Sequence, residues 1–404
     1  MVEPQVDILI VGGGLTGATL SLALMGLGYR TLLIDTKPFS SRVHADFDAR
    51  SLALSPASVR ILQMLHVWPL LESDASAIDK IHVSEQRGFG STRFSAEEMT
   101  ALGYVVEMQH INRALHQMLD KSHVIAPAEL VGFDKSSHRV TIRTKEGDST
   151  VKAQLIVAAD GADSYMRKLC GLTPKIKEYA QHAIVANIGL ARAHRQEAYE
   201  RFTLFGPLAL LPMTGQRSSL VWAMLPTDAE RLMAASEADF LNALQRAFGY
   251  RLGRFVKVGK RVLYPLRQVT IDEQTLGSVV FVGNAAHTLH PVAGQGFNLG
   301  LRDVASLAQC IAKEGLGPNM LESYEQARRV DQAAILRFTD GLISLFTHRM
   351  PGLALLRGTG LLALDNAPVM KNILTRYARG FAGQTPDLVC GIPLVAGGVN
   401  EPIV

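Results

Sequence analysis

The sequence predicts an α/β fold: a Rossmann-like layer, an inserted and mainly antiparallel β-sheet domain, and a helical C-terminal region. Three observations predict it. Val6–Val11 (VDILIV), Leu15–Leu27 and Arg30–Ile34 (RTLLI) make a strand–helix–strand pattern with glycines at the first turn. Between about 180 and 268 the pattern changes to strand-like runs joined by polar turns. Residues 318–380 have mainly helical character.

Each element follows from local chemistry. Val6–Val11 is a short apolar run ended by Gly12–Gly14, as in a buried parallel strand. No charge lies between Ile8 and Tyr29, a length that would also suit a membrane helix, since about 20 apolar residues span a bilayer. Glu3 and Asp7 precede it, where a signal peptide carries basic residues, and three consecutive glycines oppose a continuous helix. A strand, a turn and a buried helix explain these letters better. A helix-like stretch spans 105–121 and contains Arg113. Arg139–Thr144 and Val151–Val157 predict a hairpin turning at Glu146-Gly147-Asp148, and a second apolar strand ends at Ala159. Phe202–Leu211 and Ser218–Leu225, joined by Thr214–Arg217, predict another hairpin, with a helix over 237–248 after it. Ser278–Val282 is again a short apolar strand. The loop Pro291–Gly296 then opens a helix that reaches about Lys313. The resulting division is 1–75, 98–178 and 270–345 for a discontinuous first domain. Residues 76–97 and 179–269 form the inserted sheet, and 346–404 the helical region and tail.

Composition narrows the function classes. Of the 404 residues, 48% are apolar and 19% charged, which supports a large core and argues against disorder. The net charge of +4 comes without any basic run, so nucleic acid is not expected as a partner. Cys170, Cys310 and Cys390 are odd in number and widely spaced, as free thiols in a reducing compartment are.

The chemistry sits in glycine-rich turns. In Gly12-x-Gly14-x-x-Gly17 the first glycine permits the tight turn and the second lets the backbone approach a pyrophosphate. The third lets helix pack on strand, and the helix N-terminus carries partial positive charge for the phosphates. Asp35 ends the second strand, where an acid meets a ribose hydroxyl and disfavours a 2′-phosphate. These residues predict a bound dinucleotide and do not distinguish FAD from NAD.

Two later motifs do. Asp160-Gly161-Ala162-Asp163-Ser164 with Arg167 resembles the second signature of the flavin-dependent aromatic hydroxylases. Gly283-Asn284-Ala285-Ala286-His287, with Pro291 and Gly294-Gln295-Gly296-Phe297-Asn298, resembles their third. The sequence is thereby similar to the single-component (class A) FAD monooxygenases related to para-hydroxybenzoate hydroxylase, over roughly residues 5–345. Phe47–Leu54, Gly283–Asp303, Arg201-Phe202-Thr203, Gly206–Ala209 and Phe248–Gly253 further resemble the ubiquinone-biosynthesis hydroxylases, nearest to the 2-octaprenyl-6-methoxyphenol hydroxylase branch. Asn284 stands where most of the superfamily has aspartate, a feature similar to that branch.

The resemblance implies a glutathione-reductase-type FAD-binding domain. It assigns Gly12, Gly14 and Gly17 to the pyrophosphate, Asp35 to the ribose, and Arg50 and Arg113 to the FAD. Asp160 and Gly161 belong to a motif implicated in FAD and nicotinamide binding, and Gly283 and Asn284 to the ribityl contact. Pro291, Gly294, Gln295, Gly296, Phe297 and Asn298 approach the flavin ring. It also implies hydroxylation of a polyprenylated phenol with NAD(P)H and O2 through a flavin C4a-hydroperoxide, with no side-chain acid or base named. A cytoplasmic protein, peripheral to the inner membrane, with other ubiquinone-biosynthesis proteins or a second copy as partners, fits the same picture. Hydroxylation at another ring carbon and a non-catalytic FAD-binding scaffold stay open as alternatives. A halogenase on the same fold would carry a tryptophan-rich motif, and only Trp68 and Trp222 exist here.

Other residues have plainer readings. His287 and His290 lie in a loop of prolines and glycines without further ligands, so no metal is expected. Phe202, Leu204, Leu210, Val221, Trp222 and Met224 alternate, so only one face of their strands can line a cavity. Phe346 and Leu353–Leu364 are apolar, but Arg357 interrupts the stretch, leaving helix packing or a surface contact.

Overall fold

The computed structural model describes residues 5–39, 47, 50–86, 88, 90–96, 101–203, 206–289, 295–347, 353–381, 383 and 385–397. The chain begins with β1 (Gln5–Val11), α1 (Leu15–Leu24) and β2 (Thr31–Ile34), the expected strand–helix–strand unit. β3 (Ser51–Leu54), α2 (Pro56–Met64), β4 (Ser76–Ile78), β5 (Lys80–Glu85) and β6 (Ser91–Ser95) follow. The stretch expected to be helical over 105–121 divides into β7 (Gly103–Glu107) and α3 (Met108–Met118). The reason is local: Tyr104, Val105 and Val106 pair with β3 and β4, and helical periodicity starts only after Glu107.

Next come β8 (Val124–Ile125), β9 (Glu129–Asp134), β10 (Arg139–Thr144), β11 (Gly147–Ala158) and α4 (Tyr165–Leu169). The hairpin of β10 and β11 is present, but the two strands expected over 151–159 are one continuous β11. β12 (Lys175–Leu190), β13 (Glu197–Phe202), β14 (Pro207–Met213) and β15 (Arg217–Met224) build the inserted sheet. The expected single strand Phe202–Leu211 is two strands, because the chain turns at Gly206, whose φ of +155° leaves the strand conformation. Then follow α5 (Pro226–Ala234), α6 (Glu237–Phe248), β16 (Phe255–Val258), β17 (Val262–Thr270), β18 (Thr275–Leu276), β19 (Val279–Phe281) and β20 (His287–Thr288). The chain ends in α7 (Gln295–Glu314), α8 (Pro318–Thr347), α9 (Leu353–Asp365), α10 (Pro368–Ala378) and α11 (Asp387–Cys390).

The first sheet runs β18-β19-β11-β1-β2-β8, and β19, β11, β1, β2 and β8 are mutually parallel neighbours. Ile8 and Ile10 of β1 enter one core with α1 and α7, whereas Leu9 and Val11 enter the other with the β9–β10 hairpin and α4. That alternation is why every residue of Ile8–Val11 is buried and apolar. The second sheet runs β20-β17-β12-β15-β14-β13-β5-β6. Tyr199, Leu208, Leu210, Leu220 and Trp222 face α5 and α6, where they meet Phe240, Leu244 and Phe248. The opposite face of this sheet is turned to a cavity. A third, small sheet, β3-β7-β4, lies at the seam.

Candidate active site

The first turn fits the roles of its glycines. Gly12 has φ of +104°, and a Cβ there would lie 2.5 Å from the Ala159 carbonyl oxygen. A Cβ on Gly17 would lie 1.9 Å from the Gly12 carbonyl oxygen, so α1 can seat on the turn only without a side chain. At Gly14, the N-cap of α1, a Cβ would meet nothing within 4 Å. That open space, at a helix N-terminus with unpaired N–H groups, suits a pyrophosphate. The Asp35 carboxylate accepts hydrogen bonds from Gly13 N (2.6 Å) and Lys37 N (2.7 Å), which fixes it beside the turn with lone pairs to spare.

The later motifs converge on the same region. Asp160 Oδ2 accepts from Met166 N at 3.0 Å, while its buried Oδ1 has no hydrogen-bond partner among the described residues. A buried orphan acceptor costs about 1–3 kcal/mol and marks a place for an incoming donor. Arg167 is buried and donates to the Ala285 and Ala162 carbonyl oxygens at 3.0 and 2.7 Å, tying the Asp160 turn to the Asn284 turn. Gly161, Gly283, Asn284, Gly296, Phe297 and Asn298 all border one cavity of about 730 Å³, which also reaches Gly14. The Asn298 side chain has a fixed job: its Oδ1 accepts from Ser55 N and Ser58 Oγ, and its Nδ2 donates to Ala53 O. It thus clamps the start of α7 to the β3–α2 junction at the edge of the cavity.

Pro291, Gly294 and His290, with Asp48, Ala49 and Leu204, lie outside the described residues, as do the side chains of Gln295, Phe346 and Arg357. Arg50 donates to Tyr264 Oη at 3.2 Å. Arg113 donates to Asp74 Oδ2 at 2.8 Å, an oxygen shared with His110 Nδ1, and leaves further guanidinium donors. On the same helix, His116 Nε2 lies 3.0 Å from the Gly13 carbonyl oxygen, which brings α3 to the turn.

His287 stands in an ion-pair network that sequence reasoning missed. Its Nε2 lies 2.6 Å from Asp303 Oδ2, which also accepts from Gly283 N at 3.0 Å. Asp303 Oδ1 accepts from Arg328 Nε at 2.7 Å and Gln332 Nε2 at 3.0 Å. Burial alone would raise the Asp303 carboxyl, but His287 and Arg328 hold it well below the usual range. No His, Cys, Asp and Glu cluster suited to a metal occurs among the described residues.

Beyond the turns, the cavity wall is the open face of the second sheet. Phe202 and Val221 line it, whereas Leu210, Trp222 and Met224 pack on the helical side. Phe94, Val83, Ala198 and Leu211 continue the apolar wall, and Leu361, Leu364 and Leu374 of α9 and α10 roof it. Glu200 interrupts that wall. Burial pushes its carboxyl up to about 7, and its Oε1 has no hydrogen-bond partner among the described residues. The sequence signal was present, an acid between Ala198 and Phe202 on one face of an alternating strand, but placing the strand start at Phe202 hid it.

Comparison with known proteins bears on the whole chain. The FAD binding domain family model matches residues 5–339. A ubiquinone hydroxylase, UbiL of Rhodospirillum rubrum, is 36% identical, covering 96% of this chain and 93% of its own. The 3-demethoxyubiquinol 3-hydroxylase of Escherichia coli is 29% identical over 94% of this chain and 100% of its own. Among solved structures, the p-nitrophenol 4-monooxygenase PnpA from Pseudomonas putida DLL-E4 superposes with a TM-score of 0.76 at 18% identity. That match covers 94% of this chain and 99% of that one.

Proposed function

Because this chain belongs to the FAD binding domain family, we propose that it is a monooxygenase that hydroxylates the aromatic ring of a polyprenylated phenol in ubiquinone biosynthesis, using NAD(P)H and O2. The observation that carries the reading is one continuous cavity, polar and glycine-lined at α1 and α7 and apolar along the second sheet. The names of the relatives in Rhodospirillum rubrum and Escherichia coli support the pathway. The motifs favour a substrate like 2-octaprenyl-6-methoxyphenol; the name of the Escherichia coli relative favours, as a second reading, another ring carbon.

In this reading residues 1–75, 98–178 and 270–345, built around the first sheet, hold the cofactor. The second sheet (76–97, 179–269) holds the phenol. FAD, when bound, supplies hydride acceptance from NAD(P)H and activation of O2 for transfer of one oxygen atom. Gly12 and Gly17 permit the turn and the seating of α1, Gly14 leaves room for the pyrophosphate at the helix N-terminus, and Asp35 accepts from the ribose. Asp160 Oδ1 would accept a donor that it lacks among the described residues. Asn284 would offer an amide, and the start of α7 at Gly296–Asn298 would offer backbone N–H groups and a helix N-terminus to the flavin, a setting for negative charge. Arg50 and Arg113 stand by as cations whose neutral or paired contacts exchange for phosphate. The apolar wall orients the ring and excludes water.

We also infer peripheral membrane contact. No helix among the described residues is long and apolar enough to cross a membrane. The roof helices instead expose Leu362, Val369, Met370 and Tyr377 on their outer side.

A deletion strain tests the function. Its extract should accumulate an unhydroxylated prenylphenol, and mass spectrometry of that compound reports the ring position. Unchanged quinone synthesis would refute the reading.

A further inference from the structure

Glu200 is the one carboxyl that the described residues contribute to the cavity wall, and its position is structural. It lies in β13 opposite Val83 of β5 and Ala209 of β14, both apolar and both bordering the cavity. Strand alternation puts Ala198 and Phe202 on the same face and sends Tyr199 to the helical side. The carboxyl therefore stands in an apolar wall, with Oε1 lacking a hydrogen-bond partner among the described residues. Such a group is costly unless something supplies a donor.

We propose that Glu200 receives the phenolic O–H of the substrate, anchoring the ring in the cavity and holding its proton while the ring is hydroxylated. This rests on the hydroxylase reading above and names the contact that reading lacked. The phenolic O–H bond breaks as its proton passes to the carboxylate. The electron pair stays on oxygen and enriches the ring carbons ortho and para to it. After oxygen transfer by the flavin, NAD(P)H and O2 chemistry already proposed, the hydroxylated carbon loses its hydrogen as a proton. The C–H pair restores the aromatic ring, and the phenolic oxygen takes its proton back from Glu200. A carboxyl that titrates near neutrality suits such a shuttle.

The surrounding charges leave the carboxyl to this task. Arg217 of β15 is paired with Glu107, and Asp365 of α9 with Lys371. The other titratable and charged groups on the strands around it are Lys80, His82 and Glu85 of β5, Arg93 of β6, and Glu197, Tyr199 and Arg201 of β13 itself; Arg379 follows α10, and β14 carries none. Burial alone accounts for the displaced titration of Glu200.

The test uses FAD-loaded protein with 2-geranyl-6-methoxyphenol and its O-methyl ether, each bound at equilibrium and read from the flavin absorbance. The wild type should prefer the phenol by about tenfold, the value of one charge-assisted hydrogen bond. Its phenol affinity should rise between pH 6 and pH 8, as the carboxylate forms. E200L should lose the preference. E200Q should keep it in part and lose the pH dependence, with FAD content and circular dichroism unchanged. Equal affinity of the wild type for phenol and ether, or an unaltered pH dependence in E200Q, overturns the role of Glu200 and leaves the hydroxylase reading standing. Failure of the wild type to bind either probe removes both.

Discussion

Gly14 and Gly17 are three residues apart and fail differently when changed. A Cβ at Gly14 enters open space, and φ there is −68°, so Gly14→Val folds; its side chain fills the room expected for a pyrophosphate. The purified variant should be colourless, with wild-type circular dichroism and no FAD released on denaturation. Gly17→Ala instead drives a methyl onto the Gly12 carbonyl and should destabilise the apoprotein by about 1–3 kcal/mol in urea unfolding. Glu200 gives a third residue-scale prediction. Its folded pKa of about 7 lies above its ordinary 4.5, so the folded chain holds a proton that the unfolded chain releases. Its contribution is fully present below pH 4.5 and is lost as pH rises through 7. E200Q, which cannot ionise, should therefore lose less stability than the wild type between pH 5 and pH 8, by up to about 3 kcal/mol. Parallel stability profiles would contradict the buried position.

At the scale of elements, α7 and α8 are joined to the Gly283 turn by the ion pairs of Asp303. Removing one partner of a buried pair leaves the other charge without compensation, so Asp303→Ala should cost about 3–5 kcal/mol. The sign with pH is opposite to that of Glu200. The Asp303 carboxyl is held below its ordinary 3.8, so its contribution is present above that pH and is lost as pH falls. Urea unfolding of the wild type should weaken more steeply from pH 5 to pH 3 than that of Asp303→Asn. Nothing in the local pattern announced this network. Asp303 and Arg328 sit in helices of ordinary amphipathic spacing, and their pairing depends on how α7 packs on α8. What was legible lay close together in sequence: β1, α1 and β2, the β10–β11 hairpin and α6 all follow from periodicity and turn residues. The misread segments, 105–121 and Phe202–Leu211, are those where pairing with distant strands overrode a plausible local pattern.

For the whole molecule, the same limit explains why cofactor motifs could be read and the cavity could not. A glycine turn declares its role within six residues, whereas the cavity wall gathers side chains from β6, β5, β13, β14 and β15 with α9 and α10 above them. Their faces are set only once the second sheet is assembled. That assembly also bears on how a long apolar substrate enters. Leu364 and Leu374 point to the cavity, while Leu362, Val369, Met370 and Tyr377 of the same two helices are exposed. A prenyl chain leaving a bilayer beneath these helices would meet apolar surface throughout its path, avoiding the cost of about 0.8 kcal/mol for each CH₂ exposed to water. Lys371 and Arg376 lie on α10 and Arg379 just after it, so anionic lipid should strengthen the contact. Wild-type protein should therefore co-float with vesicles of anionic phospholipid, more weakly at high salt. Val369→Glu combined with Met370→Glu should reduce that binding about tenfold or more, since two exposed apolar side chains that would enter the bilayer become charged. FAD content should not change, because neither residue borders the cavity. Hydroxylation of a short-chain, water-soluble phenol should likewise survive, while turnover of the long-chain substrate in vesicles falls. Equal flotation of variant and wild type would assign the exposed surface to something other than the membrane.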